Sequence, residues 1–181
     1  MDDPFFAWTT PDETARRALL EAMFSLAVKA GDAQGFLRLD DRGVSVLIPP
    51  GRQLYDAEES AIEQGLLRKA FHRSGAILDD YRRRLRSSNP DATGYWYLHY
   101  LAVPTAKRRR GLGSSMMTDI LTQTAGAPLW LHTGRPSNLG FYAGFGLKII
   151  AITPCEPGGP YVYTLRKLPS PTGQPTNPRT D

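Results

Sequence analysis

From Leu19 onward, apolar residues return every three or four positions, at Leu19, Ala22, Met23, Leu26, Ala27 and Ala30, which predicts a helix with one broad buried face. Thr10-Pro11-Asp12-Glu13 marks its start: a Thr to cap, a Pro at the first helical position, and a Glu three residues after the cap to reach back to its amide. Gly31 stands where a left-handed residue would stop it. Two short runs follow, Gly35 to Leu39 and Val44 to Ile48, and Asp40-Asp41-Arg42-Gly43 between them has the chemistry of a hairpin turn. Pro49-Pro50-Gly51 closes the pair.

Helical spacing resumes from about Leu54 to Ser74, through Ala57, Ala61, Ile62, Leu66, Ala70 and Phe71, and a shorter basic helix is expected from Ile77 to Arg86. Ser87 to Gly94 is a polar loop. Tyr95 to Val103 is apolar on both faces apart from His99, the pattern of a central strand covered on two sides. Leu112, Met116, Ile120 and Leu121 mark a helix that Gly126 closes, Leu129 to His132 forms another strand, and Asn138 to Phe145 a short helix. Leu147 to Thr153 and Tyr161 to Arg166 read as a terminal antiparallel pair. The expected domain therefore spans residues 1–168. Beyond it, 169–181 is rich in Pro, Thr, Gly and Asn without apolar periodicity and is expected to be disordered.

Composition narrows the class. The 181 residues suit one domain, and 41% hydrophobic with 22% charged residues is ordinary globular usage. No apolar run is long enough to span a bilayer, no signal-peptide pattern stands at Met1, and Cys155 has no partner for an internal disulfide, so a reducing cytoplasm is the expected compartment. A net charge of +4 matters less than where the cations sit. Arg82-Arg83-Arg84 with Arg86 is expected to form a solvated helix face. Lys107-Arg108-Arg109-Arg110 stands elsewhere, in the bend between the central strand and the next helix.

That bend can bind phosphate. Amides at a helix N-terminus lack intrahelical partners and the helix dipole favours an anion there. Arg108, Arg109 and Arg110 raise the local potential, while Gly111 and Gly113 let a diphosphate approach the backbone of Gly111-Leu112-Gly113-Ser114. The spacing fits neither a Walker loop nor a Rossmann fingerprint, which argues against kinase and dehydrogenase chemistry. No stacking platform or reading helix accompanies the basic run, so no nucleic-acid partner is expected. The three histidines lack metal-ligand spacing, and no metal is expected. Cys155, in a Pro/Gly turn without an adjacent base, is a poor nucleophile.

Arg108-x-x-Gly111-x-Gly113, following Leu101-Ala102-Val103 and preceding a helix, resembles the coenzyme A signature of the GNAT superfamily of N-acetyltransferases. Asn138-Leu139-Gly140-Phe141-Tyr142-Ala143-Gly144-Phe145-Gly146-Leu147 resembles its second signature. Asp2-Asp3-Pro4-Phe5-Phe6, Val46 to Gly51 and Tyr97-Leu98 resemble the branch that contains puromycin N-acetyltransferase, so the likeness runs from Asp2 to Lys167. It implies an α/β (α+β) GNAT fold, a mixed central β-sheet flanked by helices. The branch usually carries a strand and a helix before the Asp-Pro-Phe-Phe segment; here the expected sheet is either smaller or has its first strand supplied differently, and an apolar edge can pair with a second copy to give a homodimer.

The resemblance also implies a chemistry. Acetyl-CoA and an amine bind together, the backbone of Leu101, Ala102 and Val103 holds the pantetheine arm, Arg108 to Ser114 hold the diphosphate, and Asn138 and Tyr142 lie on the coenzyme side. Tyr142 matches the family's general acid, against the alternative of simple helix packing. His99, where relatives often carry Glu, is the sequence candidate for the base that deprotonates the amine, against a hydrogen-bonded core histidine. His132 and His72 have weaker claims. Phe5, Phe6, Trp8, Trp96 and Tyr97 are candidates to line the acceptor cavity, with core packing as the competing reading. The branch points to a small metabolite or antibiotic amine; a protein amine, or a coenzyme-binding module without activity, are the alternatives.

Overall fold

The computed structural model describes residues 3–71, 73–90 and 93–169. Asp2, His72 and the expected disordered tail from residue 170 lie outside the described residues.

Two helices open the chain, α1 (Pro4–Thr9) and α2 (Glu13–Ala33). Asp3 caps the first, its carboxylate accepting from the Phe5 amide at 2.9 Å. The predicted capping Thr is displaced: Thr10 ends α1, its Oγ1 donating to the Ala70 carbonyl at 3.3 Å, and α2 starts on Asp12, which accepts from the Ala15 amide at 2.7 Å. Gly31 does not stop α2. It is buried inside the helix, where a Cβ would already touch Leu37 and Val46 at 3.5 Å, and the left-handed residue is Gly35. The buried face is Leu19, Leu20, Met23, Ala27 and Ala30, close to the predicted stripe.

The hairpin forms as expected, β1 (Leu37–Asp40) against β2 (Gly43–Ile48). Gly43 is required there, because a Cβ would lie 2.1 Å from the Ala102 carbonyl oxygen. Next come α3 (Ala57–Ala70), with a reciprocal Asp56–Glu59 capping box, and α4 (Gly75–Ser87). Helix α3 begins three residues after Leu54, which is buried with Phe36, Val46 and Ile48. Then follow β3 (Trp96–Ala102), α5 (Leu112–Gln123), β4 (Leu129–Thr133), α6 (Leu139–Ala143), β5 (Lys148–Pro154) and β6 (Tyr161–Lys167).

The strands form one six-stranded mixed sheet in the order β1-β2-β3-β4-β6-β5, with only β3 and β4 parallel. Among the described residues its first strand follows α2. Side chains alternate across it. Leu98, Leu129, Leu131 and Leu165 face α5 and α6, while Val46, Ile48 and Val162 face α1 to α4. Burying a side chain such as Leu131 contributes about 1.5–3 kcal/mol. These two layers clamp the middle of the sheet, but of β3 only Leu98 is fully buried, so the strand is less covered than its apolar pattern predicts.

Candidate active site

The parallel pairing of β3 with β4 runs over Trp96–Leu129, Tyr97–Trp130 and Leu98–Leu131 and then ends, although both strands continue. A cavity of about 800 Å³ opens where they part. Leu98 to Val103 line one side and His132 to Arg135 the other, with Phe5, Phe6, Phe24 and Tyr81 closing it from the helical layer. The β2–β3 ladder adds a second irregularity: Val46 pairs with Tyr100 and Leu47 with Leu98, leaving His99 as the extra residue of a bulge. His99 and Tyr100 consequently lie in ring contact, 4.3 Å between centroids, and both line the cavity.

After Val103 the chain turns through a short 3₁₀ segment, Thr105–Lys107, then Arg109 (φ 60°) and Gly111 (φ 76°) take left-handed conformations and α5 begins. Gly111 caps α5 without any side-chain hydrogen bond, and a Cβ on it would meet nothing within 4 Å, so the first-turn amides have no capping side chain. Gly113 differs from expectation: its missing Cβ points at the Phe141 ring, 3.6 Å away, which makes it an α5–α6 packing contact. Arg108 donates through Nε to the Val103 carbonyl at 3.2 Å and lines the cavity, and Lys107 donates to the Asp41 carbonyl at 2.5 Å. Arg109 and Arg110 are exposed with no acidic partner among the described residues. The hairpin braces this bend, since Arg42 holds Ser115 at 2.9 Å and Asp119 at 2.8 Å in α5. Nothing in the spacing of Arg42 marks that role.

Tyr142 projects from α6 into the cavity, and burial pushes its phenol up to about 12. Asn138 lines the same wall and donates to Thr133 Oγ1 at 3.1 Å, tying α6 to the end of β4. Tyr97 stacks on Trp130 at 4.1 Å, and its hydroxyl lies 3.4 Å from His132 Nδ1. Both ring nitrogens of His99 are buried without a hydrogen-bond partner. Burial, helped by His132, pushes the His99 imidazole down to about 4; burial alone does the same to His132. His99 is therefore neutral at pH 7, with a lone pair free.

Of the other sequence candidates, Leu101, Ala102, Val103, Phe5, Phe6 and Tyr97 line the cavity. Trp8 and Trp96 do not. Trp8 is buried against Phe71 and Tyr81 and donates to Glu156 at 2.6 Å, and Trp96 packs on the opposite sheet face with Leu98 and Met117, so core packing holds for both. The basic run on α4 also departs from a solvated face. Arg84 donates to the carbonyls of Pro154 (2.6 Å) and Cys155 (3.2 Å), and Arg82 turns into the cavity, 3.5 Å from Glu63. Glu63, whose carboxyl burial raises above the usual range, is a site residue that the α3 sequence gave no reason to single out. The Cys155 thiol is buried and pushed up to about 12, unsuited to nucleophilic work. Among the described residues no group of three or more His, Cys, Asp or Glu could hold a metal, and no helix is long and apolar enough to cross a membrane.

No family model and no curated protein matches the chain. Among solved structures, a protein described as histone acetyltransferase HPA2 and related acetyltransferase, from Corynebacterium glutamicum, aligns with a TM-score of 0.59 at 21% identity, over 97% of this chain and 86% of that one. An N-acetyltransferase from Staphylococcus aureus Mu50 aligns more loosely, with a TM-score of 0.41 at 12% identity over 72% and 67%. The six-stranded mixed sheet flanked by helices is the fold of the GNAT acetyltransferases.

Proposed function

Taking the GNAT fold as premise, we propose that this protein transfers an acetyl group from acetyl-CoA to the amine of a small metabolite or antibiotic, with both reactants held at once. The observation that carries this reading is the early end of the β3–β4 ladder at Leu98–Leu131, because it leaves one edge of the bulged strand facing a deep cavity. An extended arm can add to such an edge by backbone hydrogen bonds. The residues at the mouth fit the rest of the coenzyme: Arg108, Arg109 and Arg110 with the uncovered amides of Leu112 to Ser114 suit a diphosphate. A resemblance to the puromycin N-acetyltransferase branch and the aromatic walls support the small-amine acceptor.

Acetyl-CoA supplies the acyl group as an activated thioester. A backbone amide on the released edge, between Leu101 and Val103, stabilises the charge that develops on the acyl oxygen. His99 enters neutral and accepts a proton from the amine. The nitrogen–carbon bond forms as the carbon–sulfur bond breaks. Tyr142 then gives its proton to sulfur. Burial raises its phenol to about 12, so it is protonated at neutral pH and available to donate to the departing thiolate.

The test is free-thiol release by the purified protein with acetyl-CoA across an amine panel. Release dependent on small amines supports the reading. Release only with peptide amines transfers the acceptor assignment to proteins, and coenzyme binding without release for any amine overturns catalysis.

A further inference from the structure

The bulge at His99 decides which face of the sheet Tyr100 serves. Leu98 packs with the α5–α6 layer and Tyr97 with the α2 layer, so unbroken alternation would send Tyr100 to the side of Leu98. The extra residue reverses this: Tyr100 pairs with Val46, packs with the α2 layer, and leaves Leu101 on the other face. There it meets Phe24 of α2, whose ring stands edge-on, 4.9 Å between centroids and 75° between planes. Phe24 follows the buried Met23 but is itself 40% exposed, and both rings line the main cavity. A lone exposed apolar residue is ordinary on a surface. One that borders a cavity, held against a second ring of the same wall, presents aromatic surface to whatever enters. The half-buried rings of Phe5 and Phe6, from α1, line the cavity as well.

Charge on the lining points the same way. Among the described residues it carries three arginines, Arg82, Arg108 and Arg135, and two carboxylates, Asp3 and Glu63. Both acids are already engaged within the protein. Glu63 pairs with Arg82 at 3.5 Å, and Asp3 accepts from the Phe5 amide at 2.9 Å while lying so close to Gly134 that a Cβ there would stand 2.7 Å from its Oδ1. An acceptor with several cations would meet an excess of guanidinium groups and no uncommitted carboxylate. One with a single amine, neutral when it attacks, and an apolar body meets neither cost. Resting on the acetyltransferase reading above, we infer that Phe24 and Tyr100 form an acceptor-specificity wall and that the acceptor is an arylalkyl monoamine, its ring packed on this pair and its amine toward the released edge of β3. The same lining selects against polyamines and against lysines in basic peptides.

The experiment measures kcat/KM by thiol release for 2-phenylethylamine, ethylamine, spermidine and a basic peptide containing lysine, and the affinity of the coenzyme A complex for 2-phenylethylamine by calorimetry. The aromatic amine is expected to exceed each of the others about tenfold or more. In Phe24→Ala its advantage over ethylamine falls about three- to tenfold, chiefly through KM, and its calorimetric affinity falls in step. Acetyl-CoA affinity and the denaturation midpoint are retained, and Phe24→Tyr keeps the advantage. A packing role alone would move the midpoint and leave the ratio. Use of spermidine or the peptide equal to that of 2-phenylethylamine, a ratio unchanged in Phe24→Ala, or no binding of 2-phenylethylamine to the coenzyme A complex each overturns the inference. So does a Phe24→Ala effect confined to the preference between hexanoyl-CoA and acetyl-CoA, which would give the wall to the acyl chain. Failure of the unmodified protein to bind acetyl-CoA would instead overturn the acetyltransferase reading on which the inference rests.

Discussion

The two halves of β3, Trp96-Tyr97-Leu98 and His99-Tyr100-Leu101-Ala102, are both largely apolar and aromatic and have opposite fates. Tyr97 and Leu98 are laddered to β2 on one side and β4 on the other, Trp96 pairs with β4 alone, and Leu98 is 3% exposed. His99 to Ala102 keep β2 alone, carry a bulge, and face a cavity with half-buried or exposed side chains. The first half is held in place because Tyr97 and Leu98 pair on both sides. The second half is available for chemistry because β4 leaves it. Three ladder pairs thus separate core from site on one strand, and the cost of the open half is borne by the packing of the closed half.

Truncation at equivalent apolar positions probes this contrast most strongly. Leu98→Ala is expected to cost about 2–5 kcal/mol of unfolding free energy and Leu101→Ala about 1 kcal/mol, read by denaturant titration. Equal costs would mean that the open half carries core packing as well. Within the open half, Tyr142→Phe should lower kcat about 100-fold with acetyl-CoA affinity unchanged, the size of effect expected for removing a general acid. Normal turnover would leave Tyr142 as a packing residue of α6.

A pH titration of stability sharpens the comparison further. His99 and His132 sit at about 4 in the folded protein against an ordinary value near 6.5, so below 6.5 the unfolded chain binds more protons. Their contribution is complete above pH 6.5 and is lost as pH falls toward 4. His99→Asn should flatten that slope, which separates it from Glu63 and Asp3, whose burial-raised carboxyls bend the curve in the opposite sense. The smallest effect is expected at the exposed bend. Arg109→Ala with Arg110→Ala should weaken acetyl-CoA about three- to tenfold at low ionic strength and less in high salt, because exposed charges are screened.

Much of the fold could be read from spacing, and the reason is local. The α2 stripe, the Asp40–Gly43 hairpin and the two-sided apolar run of β3 each depend on neighbours within a few positions. The errors are where a distant contact decided. Thr10 is drawn to the Ala70 carbonyl, Gly31 packs against Val46, and Gly113 faces Phe141, so each is governed by a partner that periodicity does not see. The site divides the same way. The bend from Val103 to Ser114 was legible as strand, glycine and helix start, and Tyr142 came from resemblance. Glu63 and Arg82 were not legible, because an acid on α3 and an arginine in a basic run look like solvated surface until the fold pairs them at the cavity. The aromatic candidates show the converse: Trp8 and Trp96 carry the right chemistry on faces that the layers bury elsewhere.

The released edge of β3 and the bend behind it must act together if the protein is to hold acyl-CoA. The most direct test is a titration of ¹⁵N-labelled protein with acetyl-CoA, followed by backbone amide shifts. Saturable binding is predicted, with the largest movements at Leu101 to Val103 and at Leu112 to Ser114. No binding, or binding whose shifts fall outside both segments, would contradict it.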